Sequence, residues 1–444
     1  MRRPSHVARI AAIAAVSALV LAACGSSSED EPKKDGGGDG KASGQVSTNK
    51  QIYFVDGNAA DYSKDFDPGT LNGVKATFPG AELGDDFKNR LKAINSSLKD
   101  YTYGPESYDA VIVAALAAEA AKNDNSKAIA GKMQEVSAEG TKCETFKDCK
   151  KLIADGEDID YEGVSGPINL NDTGSPSAAT IGIFQFGEDN TYKPKDYQTG
   201  EVTGGAAPTA DQKITGSIPK GDGEFVVGSL LPQTGDLAFL GPPEIAGVDL
   251  AIKDVNAEGG VLGKPAKHVK ADSGDGTPNI APQEVDKLLS RDADIVLGAA
   301  SSSVSLSVVD KIVNAGVLQI SPANTSTELD TYKDKGLYFR TAPSDVLQGR
   351  VMANLLSDDG FTDVAIMARQ DSYGEALADN VEKFFKESGG NVVVKKLYAP
   401  DAANFTAEVN DLKAKDPDAI VLIAFDETKK IIPEMIKAGI GPNK

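Results

Sequence analysis

The chain has 444 residues, 40% of them hydrophobic and 25% charged, which is a composition typical of globular proteins. Its formal net charge of −20 argues against nucleic-acid binding, because a phosphate backbone is bound by a field of Lys and Arg. The length alone predicts two or three domains.

Residues 1–24 are predicted to be a lipoprotein signal peptide. Arg2 and Arg3 precede the apolar run Ile10–Ala23, which is too short to span a bilayer. Leu21-Ala22-Ala23-Cys24 resembles a bacterial lipobox, in which Cys24 is lipidated; a chance cysteine after an ordinary signal sequence is the alternative. Residues 25–48 contain no aromatic residue and predict a flexible tether. We therefore expect a protein held by lipid at the outer face of a bacterial cell membrane.

Residues 49–187 are predicted to form strands and helices. Ser107–Lys122 is apolar and rich in Ala, which predicts a buried helix, and Ile129–Val136 predicts a second one. Residues 188–223 are polar and rich in Gly, Pro and Thr, which predicts a linker. The predicted strands of this half are Ile52–Val55, Val74–Phe78, Ile168–Leu170 and Thr180–Phe186.

Cys143 and Cys149 are the only cysteines that follow Cys24. Outside the cytoplasm, two cysteines so close in sequence are typical of a disulfide. The alternatives are metal or redox chemistry, but zinc needs further nitrogen or sulfur ligands and the chain has only His6 and His268. We favour a structural disulfide and expect neither a metal site nor a cofactor.

From Glu224 onward the strand and helix patterns alternate regularly. Ile245, Val248 and Ile252 recur at helical spacing, so one face of that segment is apolar. Strands that alternate with helices of this length indicate βαβ units around parallel sheets. The predicted strands are Phe225–Leu231, Asp294–Ala299, Leu318–Ser321, Val364–Ala368, Val392–Leu397 and Ala419–Ala424.

Short motifs occur in a fixed order through residues 224–444. They are Gly228-Ser-Leu-Leu-Pro-Gln-Thr-Gly235, Asn256-Ala-Glu-Gly-Gly260, Ser301-Ser302-Ser303, Ile320-Ser-Pro-Ala-Asn-Thr325, Phe339-Arg340-Thr341 and Asp371-Ser-Tyr-Gly374. This part of the chain resembles the amino-terminal portion of the branched-chain amino-acid-binding proteins, which are type I periplasmic binding proteins that serve ABC importers. Residues 49–187 resemble the carboxy-terminal portion of the same family, through Phe54-Val55-Asp56-Gly57, Tyr108-Asp109-Ala110 and Gly163-Val-Ser-Gly-Pro167.

The resemblance implies an α/β fold of two Rossmann-like lobes with a ligand cleft between them, built from a circularly permuted chain. Lobe one would comprise residues 80–164 and 224–343, and lobe two would comprise 49–79, 165–187 and 344–444. The linker 188–223 would join the family's usual carboxyl end to its usual start. In that arrangement Lys444 is expected to lie near Gln51.

The resemblance also suggests how a carboxylate is bound. Ser301-Ser302-Ser303 follows a predicted strand and precedes a predicted helix, where hydroxyls and free backbone N–H groups can bind an anion. Simple N-capping is the alternative. By resemblance, Ser302 with Ser303, and Ala323 with Thr325, would bind the α-carboxylate of an amino acid; Thr325 could otherwise cap the turn that follows it.

Four further residues would complete the site. Asp56 stands where the family has an acidic residue before Gly and would bind the α-ammonium group, although an Asp-Gly turn is the alternative. Tyr373 matches a tyrosine that closes over the ligand. Tyr103 and Phe425 match aromatic positions of the cleft, although aromatic residues at strand ends also pack in cores. Such a wall suits a branched-chain or other apolar side chain.

A secreted hydrolase is the rival class. Only His268 could serve as the base of a serine nucleophile, its stretch Lys264–Lys270 is predicted to be a surface strand edge, and no Gly-x-Ser-x-Gly motif occurs. We therefore expect no enzyme, but a solute-binding protein that delivers an amino acid to the permease subunits of an ABC importer. A surface receptor of the same fold that senses another small polar solute, such as an amide or a urea-like compound, is the alternative. Either would work by closure of two lobes on the ligand.

Overall fold

The computed structural model describes residues 50–203, 214 and 217–442. The predicted signal peptide with Cys24, the tether 25–48 and Lys444 lie outside these residues. No helix of the described part is long and apolar enough to cross a membrane. Its α-helices are α1 Asp85–Ile94, α2 Gly104–Ala121, α3 Ser126–Ala130, α4 Phe146–Asp155, α5 Gly241–Ala257, α6 Ala281–Leu289, α7 Ser302–Asn314, α8 Asp345–Asp358, α9 Ser372–Glu387, α10 Thr406–Lys415 and α11 Thr428–Ala438.

The strands form three sheets, of seven, five and three strands. In chain order they are β1 Gln51–Phe54, β2 Lys75–Pro79, β3 Thr141–Cys143, β4 Ile159–Gly163, β5 Gly166–Pro167, β6 Ala178–Phe186, β7 Tyr192–Glu201, β8 Val226–Leu231, β9 Lys267–Asp272, β10 Ile295–Gly298, β11 Leu318–Ser321, β12 Tyr338–Arg340, β13 Asp363–Arg369, β14 Asn391–Tyr398 and β15 Ala419–Ile423.

The five-stranded sheet is parallel throughout, in the order β12-β11-β10-β8-β9. Every residue of β8, β10 and β11 is buried. Strands covered on both faces have near-continuous apolar runs, and β8 and β10 show this pattern, whereas β11 also buries Gln319 and Ser321. Helix α2 packs against this sheet and against α5, and its burial follows from its lack of a polar face.

The seven-stranded sheet has the order β14-β13-β15-β1-β2-β6-β7. Strand β1 lies between β15 and β2 and is parallel to both, with Gln51 opposite Ala419. The N–H of Lys50 also donates a hydrogen bond to the carbonyl of Gly441 at 2.9 Å. The first and last described segments of the chain are therefore neighbours in this sheet.

The α/β fold class predicted from the sequence is confirmed, and the strands predicted after Glu224 agree with the structure to within two residues at each end. Two predictions in the first half are wrong. Helix α3 ends at Ala130 because Gly131 follows it, so Ile129–Val136 is not a helix. Ile168–Leu170 is not a strand, since only Leu170 forms a single bridge, to Pro176.

The prediction of a continuous linker at residues 188–223 is also wrong, because Tyr192–Glu201 forms β7 at the edge of the seven-stranded sheet. Its outward side chains are polar, and Pro194 lies at a register shift of the β6–β7 pair. Polar residues and a proline at an irregularity are tolerated on an edge strand. The same features make a strand look like a linker in the sequence.

Cys143 and Cys149 form a disulfide with their Cα atoms 5.4 Å apart. The bond connects the end of β3 to α4 across six positions of sequence. In the chain-entropy view, closing so short a loop stabilises the folded state by about 2 kcal/mol.

Candidate functional site

Six of the predicted site residues surround one cavity between the two large sheets. Several of them follow the carboxyl ends of parallel strands, which is where open α/β sheets bind ligands. Leu237 and Leu240 add an aliphatic wall that was not predicted. The predicted residues around this cavity are Asp56, Tyr103, Ser302, Ala323, Tyr373 and Phe425.

Asp56 is the acidic centre of this cavity and is only 4% exposed. Its Oδ2 accepts a hydrogen bond from the Tyr103 hydroxyl at 2.7 Å. Its Oδ1 accepts from the Tyr373 hydroxyl at 2.7 Å and from Gln348 Nε2 at 2.9 Å. The carboxylate is thus oriented by three donors, which a free Asp-Gly turn residue would not have.

A second buried acid, Asp345, lies outside the lining of the cavity but close enough to feel the charge of Asp56, and no described basic side chain is bonded to either one. Burial raises the pKa of Asp56, and the three hydrogen bonds oppose that rise. Burial raises the pKa of Asp345 well above its usual range, and the charge of Asp56 adds to that effect. Both carboxylate oxygens of Asp345 are buried without a hydrogen-bond partner within the described residues. An ammonium group in the cavity would therefore stabilise the ionised form of Asp56.

Tyr103 has a left-handed backbone conformation, with φ of 57°, immediately before α2. Bulky residues rarely adopt this region, and such conformations persist where the surrounding structure holds them. Here the conformation places the Tyr103 hydroxyl on Asp56 while its ring remains 3% exposed.

Phe425 belongs both to the hydrophobic core and to the cavity. Its ring stacks on the Tyr373 ring with centroids 5.3 Å apart. The Arg369 guanidinium makes a second contact with it, 3.5 Å from the centroid of the Phe425 ring. Arg369 is in turn held by Glu427 at 2.9 Å. The aromatic wall is therefore fixed before any ligand binds.

The serine motif divides its roles among its three residues. Ser301 lines the cavity and is also the N-cap of α7, since its hydroxyl accepts from Val304 N. Ser302 lines the cavity at the first helical position, where backbone N–H groups have no helical partner. Ser303 does not line the cavity, because its hydroxyl accepts a hydrogen bond from Ser372 N at 3.2 Å.

Hydrogen bonds from Arg340 hold the loop that follows β11. Ala323 lines the cavity, whereas Thr325 lies outside its lining and its hydroxyl is buried without a partner within the described residues. Arg340 Nη1 donates to the carbonyls of Asn324 and Ser326 at 3.3 and 2.9 Å. The backbone that presents Ala323 is therefore braced by a buried cation.

Sequence reasoning missed Gln348 and Gly57. Gln348 is a buried polar residue one turn after Asp345 on α8, a position that could have signalled a bond to a cleft residue. Gly57 is required by close packing: a Cβ there would lie 2.7 Å from the Ala424 carbonyl oxygen and 2.8 Å from the Phe425 ring.

Away from the cavity, a serine, a histidine and an aspartate are connected by hydrogen bonds at the five-stranded sheet. His268 Nδ1 is 2.7 Å from Asp249, and its Nε2 is 2.8 Å from the Ser229 hydroxyl. Strand β9 is indeed an edge, but the His268 side chain is only 6% exposed. Ser229 is 1% exposed, so it lacks the access that a nucleophile needs. These hydrogen bonds connect β8, β9 and α5, and the burial of Ser229 distinguishes the arrangement from an active site.

The cavity is small in this conformation, at about 20 Å³. That volume suffices for about one water molecule. The Tyr103–Asp56 and Ser303–Ser372 hydrogen bonds hold its opposite walls together. Its walls must separate before an amino acid can enter.

The sequence of this chain is similar to those of known solute-binding proteins over about half of its length. Residues 224–444 match the family described as periplasmic binding protein. A Leu/Ile/Val-binding protein homolog 7 of Brucella suis is 26% identical over 240 residues, covering 51% of this chain and 58% of its own length. The chemotactic signal transduction system substrate-binding protein BasB of Halobacterium salinarum is 29% identical over 206 residues, covering 44% and 49%.

Among solved structures, the branched-chain amino acid transporter substrate-binding protein LivJ of Streptococcus pneumoniae, in complex with isoleucine, aligns with a TM-score of 0.44 and 26% identity, over 49% of this chain and 62% of LivJ. The chain thus spans about half to three fifths of the length of these relatives.

Proposed function

The chain belongs, through residues 224–444, to the periplasmic binding protein family, and from that premise we propose that it captures an amino acid in the cavity around Asp56 and delivers it to an ABC importer. We propose a branched-chain or other apolar amino acid as the ligand. Cys24 would carry the lipid that holds the protein at the outer face of the cell membrane.

The observation that carries this proposal is that groups of opposite polarity line one cavity. Asp56 supplies a carboxylate, and Ser302 at the start of α7 supplies the positive end of a helix. A free amino acid carries the complementary charges on a single carbon. Leu237, Leu240 and Phe425 offer apolar contact to its side chain.

We also propose that the chain order is a circular permutation of the family's usual order. Support comes from the position of β1 beside β15 and from the hydrogen bond between Lys50 and Gly441. Further support comes from the cavity itself, since Asp56 and Tyr103 belong to residues 49–187 while Ser302 and Tyr373 belong to 224–444. Neither half alone would then bind.

Ligand sensing without transport is the second candidate. It is favoured by the similarity to BasB, whose name places that protein in chemotactic signalling. The two functions differ in what is lost from the cell without the protein: uptake of the amino acid in one case, and only the response to it in the other.

Thermal unfolding with a panel of ligands tests amino-acid capture. Leucine, isoleucine or valine at about 100 times its Kd should stabilise the folded protein by about 2.7 kcal/mol and raise Tm by several degrees. Two matched controls each remove one charge: 4-methyl-2-oxopentanoate lacks the ammonium group, and leucinamide lacks the carboxylate. Neither should raise Tm. An equal shift with the oxo acid, or no shift with any amino acid, would contradict the proposal.

A further inference from the structure

A second and larger cavity, of about 330 Å³, lies on the other side of Tyr103. Its volume falls within the usual range of small-molecule sites, about 300–1,000 Å³. Strands β2, β6 and β7 form one wall, and the segment leading into α2 forms the other. Tyr192, Pro194 and Tyr197 come from β7, in the segment that the sequence predicted to be a linker.

The wall of this cavity is aromatic. Phe78 and Phe184 stack with their centroids 4.0 Å apart and their planes at 6°. Tyr192 meets both rings edge-on at 5.8 and 5.5 Å, and Tyr197 meets Phe184 at 6.0 Å. Such a surface accepts an aromatic or alkyl group, and aromatic faces also attract cations.

Three acids line the cavity, Asp61, Asp100 and Glu106, and Glu106 is the one that we assign to ligand binding. It is 2% exposed and lines the cavity beside Gly80, where a Cβ would lie 3.2 Å from Glu106 Oε1. No side chain of the described residues donates to its carboxylate; burial raises its pKa to about 8, and a hydrogen bond from its own backbone N–H opposes that rise. Behind it lies Glu244, whose two carboxylate oxygens are buried without partners within the described part of the chain.

The basic residues at this cavity do not neutralise Glu106. Lys99 lies 3.8 Å from Asp61, and Lys88 lies 3.6 Å from Asp85. A buried carboxylate without a counter-ion is costly, and pairing with a bound ammonium group offsets part of that cost.

We propose that this cavity is a second binding site, for a small primary amine with an aromatic or alkyl body, whose ammonium group pairs with Glu106 and whose body lies against the Phe78–Phe184 pair. The site does not depend on the amino-acid site, although Tyr103 lines both cavities.

Isothermal titration of the whole protein with phenethylamine tests this proposal. Phenethyl alcohol and phenylacetate share its body but are neutral and anionic, so the amine should bind at least tenfold more tightly than either. Glu106→Gln should weaken amine binding at least tenfold. Tyr197→Ala, on the edge strand, should also weaken amine binding. If Glu106→Gln does not fold, this second variant decides whether the amine binds in the cavity.

Two results would overturn the proposal. One is equal binding of the three probes, or unchanged amine binding in folded Glu106→Gln and Tyr197→Ala proteins. The other is loss of amine binding in Asp56→Asn while Glu106→Gln retains it, which would place the amine in the amino-acid cavity. Failure of the amino-acid panel would leave the amine titration readable, so the two proposals fail separately.

Discussion

Replacing Asp56 with Asn is expected to weaken amino-acid binding by about 100-fold. The substitution keeps the shape of the side chain but removes the only charge that we assign to the ligand's ammonium group. Truncating one partner of a buried, hydrogen-bonded charge pair costs about 2–5 kcal/mol, and each 1.4 kcal/mol is a factor of ten in Kd. Titration calorimetry of both proteins with the best ligand of the panel measures this difference.

The pH dependence of binding gives a second readout of the same residue. Because burial raises the pKa of Asp56, its carboxylate gains a proton at a higher pH than an ordinary aspartate does. The ammonium group of the ligand binds the ionised form of Asp56, so affinity should fall as the pH is lowered through that pKa and stay constant well above it.

The matched control for Asp56→Asn is Asp67→Asn, which removes an exposed carboxylate from the same loop and should bind the amino acid normally. Equal affinities of Asp56→Asn and the parent protein would remove Asp56 from the site.

Replacing Arg340 with Ala is expected to lower the free energy of unfolding by about 3–5 kcal/mol, because it leaves the buried carboxylate of Asp330 without its cation. The Arg340 side chain is fully buried and also donates from Nε to the Ser175 hydroxyl at 2.8 Å. It thereby joins residues from both halves of the sequence and supports the loop that carries Ala323.

Denaturant unfolding measures the effect of this change. Arg291→Ala removes an exposed arginine and should alter stability by less than about 0.5 kcal/mol. Because the loop of Ala323 loses its support, the surviving folded fraction of Arg340→Ala should also bind the amino acid more weakly. A loss below about 1 kcal/mol would show that Asp330 is satisfied in another way.

The parallel sheets could be predicted from the sequence because their strands are apolar on both faces and the helices between them have clear ends. Sequence reasoning placed β8, β10, β11, β13 and β15 well for that reason. It missed β7 because an edge strand exposes one side and tolerates the Pro, Gly and polar residues that also mark linkers. The strand signal there was weak, although Tyr192 and Tyr197 do pack against the sheet.

The site was predictable only in part, for a related reason. Ser302 and Ala323 follow the neighbouring parallel strands β10 and β11, whose carboxyl ends meet at one edge of the five-stranded sheet. Asp56 follows β1 of the seven-stranded sheet, so its place at the same cavity depends on how the two sheets face each other. Of the three adjacent serines, Ser301 and Ser302 line the cavity and Ser303 does not, and this depends on the backbone direction, which the sequence does not specify. Gln348 reaches Asp56 from a helix 292 positions away, so only the three-dimensional fold could reveal that contact.

A crystal structure of the protein with its best-binding amino acid would show whether the ligand lies in the cavity around Asp56. We predict that the α-ammonium group lies within hydrogen-bond distance of Asp56, that the α-carboxylate lies at Ser302 and Ala323, and that the side chain contacts Leu237, Leu240 or Phe425. The cavity should be enlarged well beyond its present volume of about 20 Å³. An amino acid found elsewhere, or bound with its ammonium group away from Asp56, would contradict the account.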